Sequence, residues 1–262
     1  MKFVLSIHDS LFSSFNQRAI EAFGASEFFT RIQITPENLP VPKPSWWIGA
    51  EDRWAVTQAL LQALKQAQSA GEDCEIYEED CVFSETFEEV RSALLVNVPA
   101  DWDMIYLGGQ LLALNFYPLQ EIEGNETVLL CKNAHRNHAW ICRKESVSRV
   151  IDWLESPDWP CHQTCDWRLG YLHMQDDFHV YVPKSGWICG QGPGLSSLDH
   201  CEYPERWWHF TEPEKTQENE RIQAFNASQK EAEERARFEA WRASFEVSSS
   251  SQTQDAQGSE PW

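Results

Sequence analysis

Short apolar runs alternate with helix-patterned segments over the first 155 residues, and this alternation restricts the chain to a layered α/β fold with a largely parallel central sheet. Residues 3–7 read as a first buried strand, with a polar turn at 8–10. Residues 14–23 carry Phe15, Ala19, Ala22 and Phe23 at helical spacing. The segment 35–45, with Pro36, Pro40, Pro42 and Pro44, excludes a helix or a central strand, because proline lacks the amide hydrogen that both ladders use. Residues 54–70 predict a helix, with Trp54, Leu60, Leu61 and Leu64 on one stripe and Gly71 as its stop. A strand at 74–77, a helix at 84–96, strands at 104–107, 127–131 and 138–142, and a helix at 146–154 follow. Segments 166–171, 180–182 and 187–189 complete a core that closes near Phe210.

The 262 residues, 42% hydrophobic and 13% aromatic, suit one domain over 1–211 better than two equal ones. Residues 212–247 turn charged, with Phe238, Trp241 and Phe245 spaced for one helical face, so an amphipathic C-terminal helix is expected to dock on the domain or to recruit a protein partner. Residues 248–262 open on a serine run and read as a disordered tail. A formal charge of −20 argues against a nucleic-acid partner, and an anionic ligand then needs a divalent ion and local Lys or Arg to reverse the sign in its cleft. Eight cysteines without a spacing framework fit a reducing compartment. The N-terminal apolar run is too short for a signal peptide and no stretch approaches 18 apolar residues, so the expectation is a soluble, cytoplasmic protein with no transmembrane segment.

Within this frame the strand at 74–77 runs straight into Glu78-Glu79-Asp80. Three adjacent carboxylates repel one another and cost desolvation beside an apolar run, so they belong at its exposed end. In an open α/β sheet the ligand crevice lies beyond the carboxyl ends of the strands, and hard oxygen donors there suit a divalent cation. In an extended segment Glu78 and Asp80 point the same way, whereas Glu79 faces opposite. A solvated turn before the next helix would carry the same residues, and that reading stays open here.

The run Ile76-Tyr77-Glu78-Glu79-Asp80-Cys81-Val82-Phe83, followed at a similar separation by Asp101-Trp102-Asp103-Met104-Ile105-Tyr106-Leu107-Gly108, resembles the family 25 glycosyltransferases, which include lipooligosaccharide and collagen galactosyltransferases. Weaker likenesses lie at His138 to Cys142, at Cys165-Asp166-Trp167-Arg168-Leu169, and from Val180 through Gln191 to Asp199. Two features depart from the family pattern: Glu79 stands where Asp is common, and 49–58 lack the usual Ser-His. The resemblance implies a GT-A-like fold and a metal-dependent inverting transfer of a hexose, galactose or glucose, from a UDP-sugar to a hydroxyl of a glycan or protein. It implies Mn²⁺ or Mg²⁺ as the ion. The residues assigned are Glu78 and Asp80 for metal and ribose and Gly108, Gly109 and Gln191 around the donor, while His200, next to Asp199 after the glycine loop, is read either as a late metal ligand or as an ordinary polar contact. Asp166 is the general base, with a helix cap or a partner for Arg168 as its plainer role. Asp103 is expected to bond structurally.

His135 with His138, and Cys161-His162 with Cys165-Asp166, offer zinc-type donors without a matched second pair. Phosphate-loop and nucleophile-elbow motifs are missing from the sequence. A non-catalytic sugar-nucleotide or glycan-binding module, and an interaction protein working through its C-terminal helix, are the alternatives from other classes.

Overall fold

A computed structural model describes residues 1–24, 28–112, 114, 116–158, 164–195 and 202–207, with scattered positions between 216 and 239. In chain order the elements are β1 (Lys2–Leu5), α1 (Asp9–Phe23), β2 (Thr30–Ile32), α2 (Glu51–Ala70), β3 (Cys74–Glu78), β4 (Cys81–Phe83), α3 (Phe87–Asn97), β5 (Met104–Leu111), β6 (Gln120–Glu121), β7 (Val128–Cys131), β8 (Ala134–Cys142), α4 (Val147–Glu155), α5 (Cys165–His173), β9 (Val180–Pro183), β10 (Cys189–Gln191), β11 (Gly194–Leu195) and β12 (Glu202–Tyr203). The proline-rich segment holds only a 3-10 turn at Pro36–Asn38 before α2.

The main sheet has the order β2-β1-β3-β8-β5-β9-β7-β6, with β4 paired to β10 and β11 to β12 beside it. β1 is parallel to both β2 and β3, and β5 is parallel to β9, but β8 runs antiparallel between β3 and β5. The sheet is therefore mixed, not largely parallel as the alternation predicts. Alternating strand and helix patterns imply parallel crossovers only where each strand is followed by a helix, and among the described residues β5 leads to β8 through β6 and β7 with no helix between them. Asn133, at φ 64°, lies in the two-residue link between β7, which pairs with β6 and β9, and β8, which pairs with β3 and β5.

Helices pack on both faces. α2, α4 and α5 cover Phe3, Ile76, Tyr106 and Trp140, while α1 and α3 cover Val4, Tyr77, Ile105 and Ile141. α2 starts three residues before the expected Trp54, and its stop matches expectation, with Gly71 left-handed at φ 68° and its N–H bonded to Ala67 and Gln68 carbonyls. Its fully buried Leu60 and Leu64 each contribute about 1.5–3 kcal/mol. On the opposite face Arg91 from α3 bonds both oxygens of buried Glu75 on β3, at 2.7 and 2.6 Å, and Tyr77 Oη donates to the same carboxylate. That pair locks α3 to the strand that ends in the acidic cluster.

Residues Met1–Glu218 form one compact unit and Asn219–Trp262 another. The described positions from 220 to 239 are helical. Phe238, Trp241, Phe245 and the tail 248–262 lie outside the described residues. Among the described residues no helix is long and apolar enough to cross a membrane.

Candidate functional site

β1 sits between β2 and β3, and the connections α1 and α2 lie on opposite faces of the sheet, so a crevice opens beyond the carboxyl ends of these strands. The acidic turn closes it. Glu79 accepts bonds from Ser6 Oγ at 2.6 Å and the His8 N–H at 3.1 Å, tying the turn to the end of β1. From α1, Arg18 donates to the carbonyls of Glu79 at 2.9 Å and Cys81 at 2.7 Å. β4 then pairs with β10, placing Cys81 opposite Gln191, and the Gly192 N–H bonds the Asp80 carbonyl at 2.6 Å. A Cβ on Gly192 would come within 2.8 Å of that carbonyl oxygen, so a side chain there would push the turn out of place.

Glu78, Asp80 and His138 each place a donor atom within 4.8 Å of the others. His138 Nδ1 lies 3.0 Å from Glu78 Oε2, and Gln191 Nε2 donates to Asp80 Oδ2 at 2.8 Å. Asp80 Oδ1 and His138 Nε2 are buried with no hydrogen-bond partner among the described residues. Burial and the Glu78 carboxylate hold the Asp80 carboxyl above the ordinary carboxylate range, while His138 and Gln191 pull it down. A buried carboxylate oxygen left unpaired is costly, and a cation satisfies it together with the imidazole nitrogen. Two carboxylates and one imidazole suit Mn²⁺ better than Mg²⁺, which favours oxygen donors. The residues present therefore fit a divalent ion.

Two clefts meet at this cluster. The first, about 190 Å³, is lined by Leu5, Ile32, Ile34 and Ala59 on its apolar side and by Ser6, Glu78 to Asp80 and Gln191 on its polar side. The second, about 350 Å³, is lined by Arg53, Gln110, Arg136, His138, Asp166, Trp167 and Arg206, and shares Val56, Glu78 and Gln191 with the first. Arg206 is buried and donates to Gln191 Oε1 from across an isolated bridge, with its guanidinium 3.7 Å from the Tyr203 ring centre. Gln191 thus joins Asp80 to Arg206.

Of the residues singled out in the sequence, Glu78, Asp80 and Gln191 converge here. Asp166 lies in the first turn of α5 on the second cleft, its Oδ1 accepting from Thr164 Oγ1 and the Trp167 N–H at 3.0 Å. Asp103 accepts from Ser146 Oγ and from the His179 N–H at 2.7 Å, a structural role. Gly108 and Gly109 lie inside β5, not at its end, and border neither cleft. Cβ atoms there would meet the Cys189 carbonyl oxygen at 2.3 Å and the His135 carbonyl oxygen at 2.7 Å, so close backbone packing accounts for both glycines. His200, Cys161 and His162 lie outside the described residues. His138 pairs with the acids and not with His135, whose Nε2 is 2.5 Å from Asn133 Oδ1.

His138 as a third donor, Arg18 as a clamp and Arg206 behind Gln191 are not readable from sequence, because each depends on a strand or loop pairing between distant segments. The sequence offers His138 only as a zinc-type donor beside His135, not as a partner of the acidic cluster. No protein-family model matches the chain, and no curated protein matches it.

Proposed function

We propose that the protein is a metal-dependent glycosyltransferase with a GT-A-like fold that moves a hexose from a UDP-sugar to a hydroxyl of a glycan or protein. The observation that carries this reading is the Glu78, Asp80 and His138 cluster, with its unpaired buried Asp80 oxygen, standing between an apolar cleft and a polar one at the carboxyl edge of the sheet. The apolar walls of the first cleft suit a base and ribose, and the polar second cleft suits the transferred sugar and its acceptor. A divalent ion held by Asp80 and its neighbours supplies Lewis-acid charge for the departing diphosphate. Glu78 orients His138 and is within reach of the ribose side of the first cleft. Gln191 fixes the Asp80 carboxylate. Asp166, with Oδ1 already bonded, has Oδ2 to receive the acceptor's proton as general base.

The test is release of UDP from UDP-galactose and UDP-glucose in Mn²⁺ with a panel of sugar and hydroxylated-peptide acceptors. Turnover is expected in the wild type, is lost in EDTA and in Asp80→Ala, and falls by about 10²–10⁴-fold in Asp166→Asn. Undiminished turnover in Asp80→Ala would refute the reading.

A further inference from the structure

Four consecutive residues of β8, His135 to His138, border the second cleft, which a regular strand cannot achieve because its side chains alternate between faces. The register of β8 on β5 supplies the reason. Gly108 faces Ala139 and Gln110 faces His135, so a step of two residues on β5 meets a step of four on β8. The surplus is taken up in a bulge where Arg136 has φ 65°, and bulges of this kind re-aim side chains beside binding sites. Asn137 and His138, adjacent in sequence, therefore both face the cleft.

His138 joins the acidic cluster, whereas Asn137 takes no part in it. Asn137 is 5% exposed. Its Nδ2 donates to the Cys165 sulfur at 3.2 Å, on the first residue of α5 and next to Asp166. Its Oδ1 is buried with no hydrogen-bond partner among the described residues. Keeping an amide oxygen buried and unpaired is costly, and a ligand group that donates to it removes that cost. A hydroxyl both donates and accepts, so it satisfies this amide whichever way its oxygen and nitrogen are turned. Position narrows the choice further. Asn137 is joined in sequence to His138 of the ion-binding cluster and by its side chain to the start of α5, which carries the proposed base. A hexose attached to a diphosphate at the cluster, and attacked by a hydroxyl held at Asp166, has its own hydroxyls at this point.

We propose that Asn137 reads one hydroxyl of the transferred hexose, its Oδ1 accepting the hydrogen bond, so that the cleft takes the hydroxylated sugar and rejects the corresponding deoxy sugar. This rests on the glycosyltransferase reading and adds a specificity-determining residue to it. A site built to bond a substrate hydroxyl discriminates sharply against the analogue lacking it, because the protein group is then left buried and unpaired.

Calorimetry in Mn²⁺ compares whichever of UDP-galactose and UDP-glucose binds more tightly with its monodeoxy analogues, each lacking one sugar hydroxyl. For the wild type at least one analogue is expected to bind about tenfold or more weakly than the parent. Asn137→Leu, of similar volume and without the amide, should bind the parent about as weakly as the wild type binds that analogue, and should no longer separate the two. Asn137→Ala gives the same comparison where leucine disturbs the bulge. Wild-type affinities that agree within about threefold across the whole panel, or a discrimination that survives in the variants, overturn the proposal. UDP alone is titrated in the same series. Failure of UDP to bind the wild type overturns the donor-site reading and this proposal with it, whereas UDP binding without hydroxyl discrimination overturns this proposal alone.

Discussion

Replacing Asp80 by asparagine should make the metal-free protein more stable while destroying its cation site. Glu78 and Asp80 hold donor atoms within 4.8 Å, and two unit charges at that distance repel by about 3.5 kcal/mol at an effective dielectric constant of about 20. Asparagine keeps an oxygen that can accept the Gln191 amide hydrogen, so the loss there is the charge assistance of one hydrogen bond, about 1 kcal/mol. Lost attraction to His138 offsets part of the remainder, leaving a net gain of about 1–2 kcal/mol. For a chain of this size each kcal/mol moves Tm by about 2–4 °C. In Mn²⁺ at about 100 times Kd the wild type gains about 2.7 kcal/mol that the variant does not, so the order of stability reverses. Thermal melts followed by circular dichroism, in EDTA and in Mn²⁺, read both halves. A variant less stable than wild type in EDTA, or an equal Mn²⁺ shift in both proteins, would refute the reasoning.

Other parts of the account are open to similar tests. His173 is fully buried between Tyr106 and Phe178, and burial lowers its pKa to about 3 from the ordinary 6.5. Folding therefore favours the neutral imidazole, and its contribution is complete above pH 6.5 and is lost as pH falls toward 3. Urea titrations should show the wild type losing about 2 kcal/mol more than His173→Leu between pH 7 and pH 5, and parallel pH dependences would contradict this. Arg91→Ala strands the Glu75 carboxylate and should cost about 3–5 kcal/mol in the same assay, against less than about 1 kcal/mol if the pair were solvent-screened. Gly192→Ala should shift the acidic turn, lowering stability by about 1–3 kcal/mol and Mn²⁺ affinity by about tenfold or more. Unchanged metal binding would show that the turn does not need that close approach.

The elements that local patterning could reveal are those whose burial follows one period. α2 follows from its leucine stripe and glycine stop, and β3 from a short apolar run ended by charge. β2 and β4 were missed because three residues carry too little pattern, although β4 is what sets Asp80 beside Gln191. β8 was foreseen only from His138 onward, since Arg136 and Asn137 interrupt its apolar run, and these polar residues line the second cleft. Its antiparallel direction is a property of the partners it reaches, β3 and β5, which periodicity does not encode. The glycines of β5 carry a similar ambiguity. Sequence marks that backbone must approach something closely there, and only the fold identifies Cys189 and His135 as what approaches. Within the site, the acids were legible because three adjacent charges after an apolar strand are costly. The place of His138 beside the acids, and the arginines, were hidden because each reaches the site by tertiary pairing.

Calorimetric titration of the wild type and Asp80→Ala with UDP, each with and without Mn²⁺, tests the central claim most directly. The account predicts binding to the wild type that requires Mn²⁺ and is lost in the variant. Absence of UDP binding to the wild type in Mn²⁺, or equal binding to both proteins, would contradict a donor site built on the Asp80 cluster.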